Sequence, residues 1–208
     1  MSQLHEFTVS RSDTVHVGRV VALRLDQVVM PGGHQARREI LEHPGAVAIV
    51  ALDDDLAVVM IDQYRHAVGR RLRELPAGLL DEPGEDPLAT ARRELEEEAG
   101  CTARDWSVLI DVLPSPGFTD EAVRVFLARG LTEVGRPAGE DEEADLAVVR
   151  LPLAEAVRQV LAGDILSASA VAGLLAAQAV LAGIAQPRPA DAPWPDRPTR
   201  FADRQVPR

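Results

Sequence analysis

Only one cysteine, Cys101, occurs in 208 residues, so no intrachain disulfide can form. A disulfide-stapled secreted scaffold is excluded, and the count fits a reducing cytoplasm. Aromatic residues make up 3% of the chain. The apolar content is mostly Ala, Val and Leu, and hydrophobic residues at 46% suffice to bury a core. Basic residues are also short: Lys plus Arg is 22 against 33 Asp plus Glu, a net charge of −11. That balance disfavours a nucleic-acid backbone or an anionic membrane as the partner. A phosphate-bearing small molecule stays possible, provided local arginines or metal ions reverse the charge at its site. No long uninterrupted apolar run is present. The stretch from Ile165 to Ile184 is Ala-rich and broken by Ser, Gly and Gln, which predicts a buried helix and not a membrane span. The first residues, MSQLHEFTVSRSDT, are polar and lack a signal-peptide core. No fixed-period repeat is visible.

What is present reads as alternating strands and helices. Residues 1–44 predict a small antiparallel β lobe, with Val-rich 17–30, a turn at Pro31-Gly32-Gly33, and an extended return through HQARREILEH. A hairpin of that size is marginal alone and needs the main domain or a second subunit to pack on. Residues 46–52 and 56–63 flank Asp53-Asp54-Asp55 and predict a second hairpin. A helix is expected from about 87 to 99, strands at 106–113, 122–128 and 146–151, and two closing helices near 152–162 and 166–184. From Gln186 on, Pro and Arg dominate, and an irregular extension over the surface or onto a partner is expected. The division is a lobe at 1–44, a domain at 45–186 and a tail at 187–208.

Chemistry concentrates between Gly78 and Cys101. Asp86 is a natural N-cap, Pro87 suits the first helical position, and Gly100 is a natural stop. Leu88, Ala91, Leu95 and Ala99 recur at three- and four-residue steps and form the core-facing stripe. Glu94, Glu97 and Glu98 cluster on another face over one turn. Like charges repel there, and the C-terminal end of a helix disfavours anions by a few tenths of a kcal/mol, roughly. A hard divalent cation relieves both, and clustered carboxylate oxygens suit Mg²⁺ or Mn²⁺. An isolated run such as Glu96-Glu97-Glu98 is ordinarily just a solvated helix face, so context decides.

That context resembles the Nudix box, G-x5-E-x7-R-E-U-x-E-E-x-G-U with U aliphatic. Gly78, Glu85, Arg93, Glu94, Leu95, Glu97, Glu98 and Gly100 match it. Two departures occur: six residues instead of five separate Gly78 from Glu85, and Cys101 stands where an aliphatic residue is usual. The resemblance implies a Nudix-type α/β (α+β) fold, an α/β/α sandwich around a mixed sheet with a small N-terminal antiparallel lobe. It implies Mg²⁺-dependent hydrolysis of a diphosphate, with Mn²⁺ able to substitute. Glu94 and Glu98 would be direct ligands, Glu97 a further or water-mediated one, and the carbonyl of Ala77 another. Arg93 would hold the carboxylates. Glu85 would orient Arg93 or contribute at the metal edge, and Gly78 and Gly100 would be structural.

Outside the box, Pro116 lies 16 residues after Gly100 and is followed by Gly117 and Phe118. This resembles the marker of the ADP-ribose pyrophosphatase subfamily. The segment QYRHAVGRRLRELPAG (63–78) looks like the one before the box in bacterial members of it, the N-terminal lobe resembles that subfamily too, and the match as a whole looks especially close to actinobacterial members. The resemblance implies ADP-ribose as substrate, AMP and ribose 5-phosphate as products, and a homodimer that exchanges its N-terminal lobes. It implies substrate contacts at Arg65, Pro116, Phe118 and Glu121, with Phe7 as a further aromatic candidate near the adenine. It also implies a catalytic base on the acidic loop 135–146, with Glu143 first and Glu142 second. Other nucleoside diphosphate derivatives, such as nucleotide sugars, dinucleoside polyphosphates or oxidised nucleotides, remain alternatives. So does a non-catalytic ADP-ribose sensor, although such modules have eroded box carboxylates and an attached DNA-binding region.

Overall fold

The structure is a computed structural model that describes residues 4–82, 84–137 and 145–205. Two sheets carry the fold. The first is three-stranded and antiparallel, in the order β1-β2-β3, from β1 (Val9–Val17), β2 (Ala22–Val29) and β3 (Gln35–Glu42). The expected strand at 17–30 is β2, and β1 precedes it as an additional strand. All of β1 is exposed, so its side chains carry no one-sided apolar pattern from which a strand could be read.

The second sheet is mixed. It contains β4 (Ala46–Leu52), β5 (Ala57–Arg65), β8 (Cys101–Val112), β9 (Val123–Glu133), β10 (Ala147–Pro152) and β11 (Arg188–Pro189), in the order β10-β5-β4-β9-β8-β11. Short strands β6 (Arg70–Glu74) and β7 (Ala77–Leu79) pair with β5 and β4. Only β4 and β9 run parallel, and the remaining pairs are antiparallel.

The central strand β4, AVAIVAL, is buried on both faces. Because successive strand side chains point to opposite faces, its residues divide between two cores. Ala48, Val50 and Leu52 join Val123, Val125, Leu153, Ala170 and Leu174 beneath α2 (Leu153–Ala162) and α3 (Ala168–Leu181). Val47, Ile49 and Ala51 join Phe126, Ala128, Ala91 and Leu95 beneath α1 (Pro87–Ala99). Helices therefore cover both faces of the sheet, giving an α/β/α sandwich with the β1–β3 sheet beside it.

The tail departs from the sequence expectation. It contains regular structure: β11 adds to β8, and α4 (Arg200–Gln205) buries Phe201 to 1% exposure. Local Pro and Arg content argues against such elements, but docking on the body supplies partners that local sequence does not reveal.

Candidate metal centre

Helix α1 forms where its caps predict. Asp86 has extended backbone geometry and accepts from the amides of Leu88 and Ala89 at 3.1 and 3.3 Å. Gly100 ends the helix at φ 64°, and its amide donates to the Glu96 carbonyl at 2.9 Å. A side chain there would be strained, and its Cβ would lie 2.7 Å from the Arg136 amide nitrogen. Ala91 and Leu95 are fully buried, Ala99 nearly so, and Leu88 packs partly buried against the same core. With the apolar face thus fixed on β4, the carboxylate face turns towards β7.

Two glutamates converge on the backbone of β7. A Glu98 carboxylate oxygen accepts from the Ala77 amide at 2.8 Å, and Glu98 is 6% exposed. Glu94 lies against Gly78 so closely that a Cβ on Gly78 would sit 2.0 Å from its Oε1. The glycine is therefore required by the carboxylate and not by a turn. Ala77-Gly78, Glu94 and Glu98 form one cradle, with backbone and carboxylate oxygens as the available donors.

Arg93 organises the outer side of this cradle. Its Nη1 donates to Glu94 at 2.8 Å and Glu97 at 3.0 Å, and its Nη2 donates to Glu85 at 3.3 Å. Burial opposes the charge of Arg93, but the bond to Glu85, the charge of Glu94 and the bond to Glu97 outweigh it and raise its pKa. Burial likewise pushes Glu85 up, while hydrogen bonds from Arg93 and Thr90 hold it below its ordinary value. Thr90 Oγ1 donates to Glu85 at 2.9 Å, and Thr90 is wholly buried. Sequence reasoning missed Thr90, although its place one turn before Glu94 was a usable signal.

Among the described residues, no three acidic, His or Cys side chains already close on a single point. Glu97 stays at the rim, with its side chain 40% exposed. The donor set nevertheless fits a hard divalent cation, since it consists of carboxylates and a backbone carbonyl beside a glycine that leaves room for close approach.

Arg65 ends β5 and donates to Glu74 at 2.6 Å. Pro116 and Phe118 lie in a turn that docks on the N-terminal sheet, where the Leu41 amide donates to the Phe118 carbonyl at 2.8 Å. Phe118 is 52% exposed. Glu121 follows Asp120, whose carboxylate accepts from the His43 amide at 2.9 Å. Burial pushes the His43 imidazole down, against the charges of Glu121 and Asp120. Phe7 meets His5 edge-on at 4.7 Å, just before β1. Glu142 and Glu143 lie outside the described residues.

Fold and site together define a layered α/β protein whose acidic helix face, held over a glycine, has the donor chemistry of a hard-cation site. The model of the NUDIX domain matches residues 42–169, and the chain belongs to the Nudix family. It is 56% identical over 204 residues to an ADP-ribose pyrophosphatase of Mycobacterium tuberculosis, covering 98% of this chain and 99% of that protein. It is 41% identical over 162 residues to the "Methanol dehydrogenase activator" of Bacillus methanolicus, covering 77% of this chain and 86% of that protein. A solved structure described as an ADP compounds hydrolase superposes with a TM-score of 0.75 at 25% identity, covering 89% of this chain and all of that one.

Proposed function

We propose that this protein is an ADP-ribose pyrophosphatase that hydrolyses the diphosphate to AMP and ribose 5-phosphate with Mg²⁺, Mn²⁺ being able to substitute. The observation that carries the chemistry is the convergence of Glu94 and Glu98 on Ala77-Gly78. The similarity to the mycobacterial enzyme over almost the whole chain supports the substrate. Glu94 and Glu98, with Glu97 and the Ala77 carbonyl, are the residues to hold the metal. When bound, the metal neutralises diphosphate charge and lowers the pKa of an attacking water. Arg93 fixes the carboxylates, and Glu85 fixes Arg93. Arg65 and the turn at Pro116-Phe118, with Glu121, are the residues assigned to the substrate. Glu143, or Glu142 in its place, accepts the proton of the attacking water.

The reading includes a cytoplasmic homodimer formed through the lobe 1–44. Strand β1 supports the dimer, since Val9, Val15 and Val17 are all at least half exposed and a small lobe of this kind gains from a second surface.

The test is a product assay on ADP-ribose, ADP-glucose, NADH, diadenosine polyphosphates and 8-oxo-dGTP, with and without Mg²⁺. ADP-ribose is expected to be turned over fastest, and only with metal. Turnover of another substrate at equal or higher rate overturns the substrate assignment. Glu98→Gln is expected to retain the fold and to lose activity by at least about 100-fold, the upper end for residues that only support a ligand. An active Glu98→Gln enzyme overturns the metal site.

A further inference from the structure

The tail lies outside the residues that the family model matches, yet its described part, 187–205, is anchored at several points. Arg188 Nη2 donates to Asp111 at 2.8 Å beside the β11–β8 pairing. Arg124, 3% exposed at an inward position of β9, donates to the carbonyls of Ala192 and Pro193 at 2.7 and 3.0 Å. The Trp194 ring lies over the same guanidinium at 4.7 Å. Three residues on, Arg197 Nη2 donates to the main-chain carbonyl of Glu85 at 3.2 Å. Phe201 is then buried.

Glu85 is the residue that joins this strap to the metal cradle. Its carbonyl is held by Arg197, while its carboxylate holds Arg93, which holds Glu94 and Glu97. The loop before Glu85 is one residue longer than the usual box, which makes the placement of Glu85 less determined by local chain length. The tail and the start of α1 face each other across a cavity of about 280 Å³, lined by Asp86, Pro87 and Leu88 on one side and Trp194 and Arg197 on the other. Arg197 bridges it.

We propose that Arg197 is a positioning residue for the metal site: by fixing the backbone at Glu85 it sets Arg93, and through it the Glu94 and Glu97 carboxylates. The inference rests on the metal-site reading above, and the experiment separates the two. Mn²⁺ binding to the full-length protein is measured by electron paramagnetic resonance without substrate, alongside thermal unfolding, for wild type, Arg197→Ala, Arg197→Lys and Asp53→Ala. Asp53 caps the β4–β5 turn through the amides of Asp55 and Ala57 and pairs with Arg150, so its loss lowers stability without removing a contact to Glu85, Arg93 or the cradle carboxylates. Arg197→Ala is expected to weaken Mn²⁺ binding about 10-fold, the lower end for a residue acting through a ligand's support. Lysine can still donate one hydrogen bond to a carbonyl, so Arg197→Lys is expected to recover affinity to within about twofold. Asp53→Ala is expected to bind as wild type does. Wild-type affinity in Arg197→Ala, or an equal loss in Asp53→Ala, overturns the role of Arg197 while leaving the metal site standing. A wild-type protein that binds no Mn²⁺ overturns both.

Discussion

At the scale of single residues, Gly78 ties the two halves of the site together. From the sequence, glycine at this place in the box is expected to be structural, letting the backbone approach a ligand closely. In the structure it is a contact residue, since a methyl group there would meet Oε1, Cδ and Cγ of Glu94 at 2.0 to 2.3 Å. A flexible side chain can leave where a backbone cannot, so Gly78→Ala should displace Glu94 instead of unfolding the protein. The expected outcome is a melting temperature within a few degrees of wild type and Mn²⁺ affinity lower by about 10–100-fold. Calorimetric titration with Mn²⁺ beside a thermal melt checks both halves. Unchanged affinity would mean that Glu94 is not a ligand. Thr90 and Arg197 illustrate two grades of legibility around the same site. Thr90 was within reach because it shares a helix with Glu94. Arg197 was not, because 112 residues separate it from Glu85 and only the path of the tail brings them together.

At the scale of elements, legibility follows how local each element's determinants are. Both ends of α1 were readable because caps act over a few residues: Asp86 accepts from the amides two and three positions on, and Gly100 closes the other end. The β4–β5 hairpin was readable from two apolar runs around an acidic turn. Strands β6 and β7 were not, since they are short and β6 is RRLRE; each becomes a strand only by pairing with β5 or β4. Strand β11 was hidden for the same reason. The cap gives a prediction at this scale. Asp86→Ala leaves the amides of Leu88 and Ala89 without their carboxylate acceptor, and such losses cost about 1 kcal/mol. Urea unfolding should show that loss with an unchanged slope. Helix α1 is held by its buried face as well, so the variant is expected to keep its activity; a loss several-fold larger would mean that Asp86 also shapes the site.

At the scale of the whole molecule, the −11 balance hides how the cations are used. All 22 basic residues are arginine. Arginine offers a planar fork of donors that satisfies two carboxylates at once, which suits buried pairs better than a lysine point charge. One such cluster joins the N-terminal sheet to the C-terminal helix. Arg24 donates to Asp26 at 2.9 Å and to Glu42 at 2.7 Å, all three residues being buried. Arg204, from α4, completes Glu42 with a short contact from Nε and a 2.9 Å bond from Nη2, and reaches Thr14 on β1 at 2.9 Å. The hydrogen bonds from Arg204 pull the Glu42 carboxyl below its ordinary value, against the burial that pushes it up, and Arg24 adds to the pull. A carboxyl with a lowered folded-state pKa contributes stability that is complete above the unfolded-state value and is lost as pH falls through the folded-state value. The lobe-to-tail connection should therefore weaken in acid. Arg204→Ala leaves a buried acceptor without its main donor, at a cost of about 1–3 kcal/mol near neutral pH. It also lets the folded-state pKa of Glu42 rise back, so the variant has less left to lose in acid. Urea unfolding at a series of pH values should show the wild-type advantage narrowing as pH drops below the ordinary carboxylate range. A gap that stays constant across that range would mean that Arg204 acts by packing and that its charge does not hold the tail to the lobe.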